Sequence, residues 1–159
     1  MNATDWKHLM TRKTLILLAA GGSLALLAGA FLFQSLGYAP CKMCLWQRWP
    51  HAAAIVIGAL ALLTALPARA LAALGALAAL TTAGIGLYHV GVEQKWWEGP
   101  SSCSGGGSLD GIDLLSTDIS PVVMCDDIVW SLFGLSMAGY NALFSLGIAA
   151  LWIMAVSKA

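Results

Sequence analysis

At 159 residues the chain is short, 59% of it is hydrophobic and only 10% is charged. An ordinary soluble domain carries about 25% charged residues, so a fully water-facing surface is excluded. The formal net charge of zero argues against nucleic acid as a partner. Apolar residues fall into four blocks, about 15–33, 49–66, 70–92 and 135–156, and a helix needs roughly 20 such residues to cross the hydrocarbon. The expected fold is all-α: an integral membrane four-helix bundle forming one domain over residues 1–159.

The first block, Leu15 to Phe33, follows Lys7, Arg12 and Lys13. A signal peptide has a similar layout, but its apolar region runs to about 7–15 residues and ends in a small-residue cleavage site. This block is longer and has no clear A-x-A site, so it reads as a retained helix. A short loop, about 34–48, carries Pro40-Cys41-Lys42-Met43-Cys44-Leu45-Trp46-Gln47-Arg48. After the second block, the tight turn at Pro67-Ala68-Arg69 predicts that the second and third helices are antiparallel neighbours.

The loop at about 93–127 is long, and structureless loops beyond about 12–15 residues are usually functional or disordered. Ser101 to Gly107, which contains Cys103 and three glycines, is expected to be its most flexible stretch. Beyond it, Ile112, Leu115, Ile119 and Val122 recur at near-helical spacing with Asp110, Asp113 and Asp118 between them, and Pro121 limits any helix. A short amphipathic segment on the outer leaflet and an ordinary loop are both consistent with that pattern.

Charges orient the bundle. With both termini inside, the inner segments hold Lys7, Arg12, Lys13, Arg69 and Lys158, and the outer loops hold Lys42, Arg48 and Lys95. That is the bias of the positive-inside rule. Trp46, Trp49, Trp96, Trp97 and Trp130 cluster near the outer boundary, and Trp6 and Trp152 near the inner one, as in aromatic belts. Small residues repeat every fourth position at Gly21/Ala25/Gly29, Gly75/Ala79/Ala83 and Gly134/Ala138/Ala142, a spacing that lets helix backbones approach.

All four cysteines, Cys41, Cys44, Cys103 and Cys125, fall on the outer side, where glutathione does not keep thiols reduced. Four thiols allow three pairings. Cys41 and Cys44 are near enough for a local bridge, which leaves Cys103 with Cys125. Two structural disulfides are the bland reading. Against it, a CxxC ring contributes little loop entropy, the glycines beside Cys103 give a partner access, and Lys42 and Arg48 favour a thiolate, the reactive species. A four-cysteine zinc site is the rival, although Cys103 and Cys125 are not closely spaced. Haem attachment needs a histidine after the CxxC, and position 45 is leucine.

Arg48 stands four residues past Cys44. An arginine in hydrocarbon costs about 2.5–3.5 kcal/mol on insertion scales, so one at a helix entrance needs a reason. Snorkelling is one. The other is that a guanidinium on the face of Cys44 holds a thiolate and a carbonyl oxygen of a bound quinone. Pro50 disfavours the α region at Trp49, which predicts a break there with Arg48 in the approach to the helix. His89 reads as an interfacial or a functional histidine, His51 as interfacial packing, and Gln47 as a quinone or headgroup contact.

The Pro-Cys-x-x-Cys-x-x-Gln-Arg run at 40–48, the four spans, the two separated loop cysteines and Ser136 to Asn141 at the start of the last span resemble the DsbB family of bacterial disulfide bond formation proteins. Vitamin K epoxide reductase relatives share a four-helix core, but their loop cysteines precede the CxxC. The resemblance implies an enzyme of the bacterial inner membrane. It would oxidise DsbA, a periplasmic thioredoxin-fold dithiol oxidase, and pass the electrons to ubiquinone or menaquinone. It further implies that DsbA attacks Cys103, that freed Cys125 attacks Cys41, and that Cys44 delivers electrons to quinone beside Arg48, with His89 and Gln47 nearby. A paralogue serving one dedicated partner, and a non-catalytic disulfide or metal-binding membrane protein, are the alternatives. No flavin or nucleotide motif competes as the acceptor site.

Overall fold

A computed structural model describes residues 11–103 and 123–158. Trp6, Lys7, the glycine run 105–107 and the candidate amphipathic segment around Ile112 to Val122 lie outside those residues. Among the described residues, four helices form: α1 (Arg12–Ser35), α2 (Lys42–Leu63), α3 (Ala68–Glu93) and α4 (Met137–Ser157). Three of them, α1, α3 and α4, are long and apolar enough to cross a membrane. The fourth, α2, falls short of the expected fourth span by composition, because Gln47, Arg48, Pro50 and His51 occupy its first three turns.

The helix ends are satisfied locally. Thr11 Oγ1 accepts from the Thr14 N–H at 3.2 Å, Cys41 Sγ from Cys44 and Ser136 Oγ from Gly139. α1 ends in a Schellman motif: Gly37 donates to Gln34 O and Tyr38 to Phe33 O, both at 3.1 Å, with Gly37 at φ 97°. Arg12 reaches across the bundle to the far end of α4, donating to the carbonyls of Ala155 and Lys158, two acceptors that no helix can satisfy internally. Short strands β1 (Ser131–Leu132) and β2 (Leu135–Ser136) pair antiparallel. Phe133 and Gly134 between them both have positive φ, as a two-residue type I′ turn requires. The all-α expectation thus acquires one hairpin, which delivers Ser136 to the start of α4.

Helix α3 packs along α4 and α2, as the tight turn at Pro67 predicts. Its small ladder is in contact at Gly75, where a Cβ would lie 2.6 Å from Trp152 ring carbons, and outside the ladder a Cβ on Gly86 would lie 3.1 Å from Ala142 Cβ. The ladder in α1 is not used this way, since nothing lies within 4 Å of a Cβ placed on Gly21 or Gly29. Trp152 departs from the belt expectation. It is fully buried among Leu15, Ile16, Ala72, Ala76 and Ala79, because Gly75 leaves a hollow that the indole fills. Trp49 and Trp96 remain exposed at 77% and 69%, consistent with an interfacial position.

A cysteine–histidine centre at the outer end of the bundle

Helix α2 begins at Lys42, so the CxxC is its N-cap and first turn. No break occurs at Trp49: α2 runs through Pro50, which cannot donate a backbone hydrogen bond. Cys44 and Arg48 therefore lie one turn apart on one face. Cys41 is 3% exposed and its sulfur lies 2.9 Å from that of Cys44, with neither bonded to another cysteine. Cys103 and Cys125 form a disulfide with Cα atoms 5.2 Å apart. That bridge removes two of the four thiolates that a four-cysteine zinc site would need.

Both pairs meet at one imidazole. His89 Nε2 lies 3.5 Å from Cys41 Sγ and 3.2 Å from the Cys125 carbonyl. Cys41, Met43, Val92, Cys103 and Cys125 pack as one buried cluster, with Cys44 and Val123 against it. Cys103 is only 5% exposed. One side of it lines an outer cavity of about 760 Å³ with Trp96, Trp97 and Asp126.

A chain of amides orients His89. The Gln47 Nε2 donates to the Met43 carbonyl at 3.2 Å and to His89 Nδ1 at 3.1 Å, while Gln47 Oε1 accepts from Asn141 Nδ2 at 2.6 Å. Asn141 Nδ2 also donates to Thr82 Oγ1, which in turn donates to the Gln47 carbonyl. Asn141 Oδ1 accepts from His51 Nε2 at 2.9 Å. With Nδ1 an acceptor, the imidazole carries its hydrogen on Nε2 and presents an N–H to Cys41. The Cys41 thiol is pulled down to about 4 by the hydrogen bond with Cys44, with help from His89 and the Cys44 backbone N–H, against the opposing effect of burial. The Cys44 thiol is pushed up by the same shared hydrogen bond and by burial, so the remaining thiol proton of the pair sits on Cys44.

A second cavity, about 350 Å³, opens beside Cys44 and is lined by Leu26, Ala30, Phe33, Arg48, Trp130 and Tyr140, among others. Arg48 lies in its wall, but its hydrogen bonds go to α1: Nη1 to Gln34 Oε1 at 2.8 Å and Nη2 to the Ala30 carbonyl at 3.5 Å. Its guanidinium carbon sits 4.7 Å over the Phe31 ring. The buried Nε–H has no partner.

Four residues of this centre have no assigned role in the sequence: Thr82 and Glu93, and Ser136 and Asn141, which bound the run at the start of the last span. Glu93 is buried at 9% exposure, its Oε1 lies 3.8 Å from His89 Nε2, and it accepts from Ser136 Oγ. Its place four residues after His89 on α3 was the one available signal, since such residues share a helix face.

The sequence profile of the disulfide bond formation protein DsbB matches residues 12–155. No curated protein and no solved structure matches the chain. The match covers nearly the whole sequence, from α1 through all four cysteines and almost to the end of α4, and this integral membrane protein belongs to the DsbB family of disulfide bond formation proteins.

Proposed function

We propose that the protein is an inner-membrane thiol–disulfide oxidase, with both termini cytoplasmic, that reoxidises a periplasmic DsbA-like protein and passes the electrons to a membrane quinone. The observation that carries this reading is the convergence of both cysteine pairs on His89, with a largely apolar cavity against the CxxC. A disulfide relay needs its pairs in contact, and a lipid-soluble acceptor needs an apolar pocket at the last sulfur.

In this reading a DsbA thiolate attacks Cys103 Sγ, breaks the Cys103–Cys125 bond and releases Cys125 as a thiolate. Cys125 then attacks Cys41 of an oxidised Cys41–Cys44 pair, and Cys44 leaves with the electron pair. The second DsbA cysteine displaces Cys103, completing the DsbA disulfide. Cys103 in turn displaces Cys41 from Cys125, which restores the loop disulfide and leaves Cys41 and Cys44 reduced. That final arrangement, a bridged loop pair beside an unbridged CxxC, is the one the structure holds.

The residues fit a quinone. Arg48 offers a buried, unpartnered N–H suited to a ring carbonyl, and the cavity wall is otherwise largely apolar. When bound, a quinone supplies a two-electron, two-proton acceptor. Gln47 has both polar ends occupied by protein groups, so its part is to hold the His89 tautomer rather than to touch the quinone. His89 keeps an N–H against Cys41 and stabilises the thiolate there.

The test is ubiquinone reduction by the purified protein with reduced DsbA as donor, followed by absorbance. Turnover that is lost in Cys44→Ser, together with a Cys103–DsbA mixed disulfide trapped in Cys125→Ser, is the expected result. Absence of both would overturn the reading.

A further inference from the structure

The reduced centre holds a carboxyl that the electron path does not use. Glu93 lines the same cavity as Cys41, Cys44 and Arg48, at the last residue of α3. A carboxylate is disfavoured there by the carbonyl end of the helix and by burial without a full counter-charge. The groups facing it are His89 on its own helix, Cys41 and Cys44 from the start of α2, and Ser136 from the start of α4. Arg48 and Asp127 line the cavity further round, and Arg48 is committed to α1. Cys41 Sγ and Glu93 Oε1 thus lie against the same nitrogen, 3.5 and 3.8 Å from His89 Nε2.

His89 cannot serve as the base for Cys41. Its Nδ1 lone pair is taken by the Gln47 amide and its Nε2 carries the hydrogen. His51 has an unpartnered Nδ1, but it stands ten residues further along α2, about 15 Å at 1.5 Å per residue. Among the described residues that leaves Glu93 as the buried base beside Cys41.

We propose that Glu93 is the proton store of this centre, taking up the Cys41 proton when the CxxC is reduced and returning it when the pair is oxidised. Two anions sharing one low-dielectric cavity repel strongly, so the Cys41 thiolate and the neutral Glu93 carboxyl form together. The oxidation then balances: Cys41–S⁻, Cys44–SH and Glu93–COOH become a Cys41–Cys44 disulfide and Glu93–COO⁻. Two electrons and two protons, one from Cys44 and one from Glu93, go to the quinone. Ser136 aims the carboxyl, since its Oγ donates to Glu93 while capping α4.

This rests on the oxidase reading but is tested without partner or quinone. The redox midpoint of the Cys41–Cys44 pair is measured in quinone-free protein between pH 6 and 8, roughly spanning neutrality, by alkylation and mass spectrometry of the 41–48 peptide. Two protons per two electrons are expected for the unmodified protein. Glu93→Gln, which still accepts from Ser136, should take up one. The slope against pH then halves, to about 30 mV per pH unit, the tenfold equivalent for a two-electron couple. Ser136→Ala, which keeps the carboxyl, should retain the full slope. An unchanged slope in Glu93→Gln, or a one-proton slope in the unmodified protein, overturns the proposal. The second outcome needs no variant to fold. DsbA-driven turnover of the unmodified protein reports separately on the oxidase reading.

Discussion

The backbone N–H of Cys44 donates to Cys41 Sγ at 3.2 Å, so the first cysteine of the CxxC is also the N-terminal cap of α2. The sulfur proposed to exchange disulfides is therefore held by the helix whose orphan N–H groups stabilise its anion. Under the proposed function, redox state and helix stability would be coupled through one atom. Cys41→Ser should keep the cap, whereas Cys41→Ala should lose about 0.5–2 kcal/mol, measured as a difference in thermal unfolding between the two variants.

The same cap sets a pH dependence. The Cys41 thiol falls from 9.0 to about 4 in the fold, so for this group alone the unfolded chain binds the extra proton, and the Cys41 contribution to stability rises with pH between those values, with proton uptake by Glu93 opposing it. The contribution is complete above about pH 9, shrinks as pH falls and is gone below about pH 4. Alkylation of reduced Cys41 should consequently stay fast down to about pH 5. In His89→Ala and Cys44→Ser the midpoint should move up, toward an ordinary thiol. A profile centred near pH 8.5 in the unmodified protein would contradict the assignment of the thiolate to Cys41.

Asn141 holds Gln47, His51 and Thr82 at once. Asn141→Leu strands the Gln47 carbonyl oxygen and the His51 N–H in the interior, at a cost of about 1–3 kcal/mol. It also frees Gln47 to flip, which lets His89 change tautomer. The expected signature is a lower unfolding temperature together with an upward shift of the Cys41 alkylation profile. A stability loss with an unmoved profile would confine Asn141 to a packing role.

Arg48→Ala should slow quinone reduction and raise the KM for quinone by about 10–100-fold, the worth of a hydrogen bond from a charged donor. The Cys103 exchange lies on the other side of the centre and should be unaffected, so mixed-disulfide formation with DsbA serves as the control. Arg48→Lys should not restore the fork, because an ammonium cannot bond Gln34 and Ala30 and still offer a third, fixed donor.

Gly75 and Trp152 test the packing. A Cβ at position 75 would lie 2.6 Å from the indole, so Gly75→Ala should destabilise by about 1–3 kcal/mol. Trp152→Phe in the same chain should recover part of that loss, because the smaller ring vacates the contact. Additive losses in the double variant would show that the two residues do not compete for one space.

Much of this protein was legible in one dimension. Membrane embedding, the helical class, the CxxC and the order of the cysteines follow from hydropathy and short-range spacing, which depend only on neighbours in the chain. The same locality produced the errors. The proline rule predicted a break at Trp49, yet α2 continues because packing against α1 and α3 outweighs one missing hydrogen bond. Trp152 looked like a belt residue, but a hollow at Gly75, 77 positions earlier, buries it. The meeting of Cys41, Cys125 and Glu93 around His89, and the amide chain from Gln47 to Asn141 to His51, join residues up to 94 positions apart. No local pattern encodes such pairings, because the buried polar groups that make them find their partners only when the helices pack. Sequence alone determined which chemical groups this membrane protein carries, and the tertiary structure decided which sulfur faces the His89 and Cys44 N–H groups and which side chains surround it.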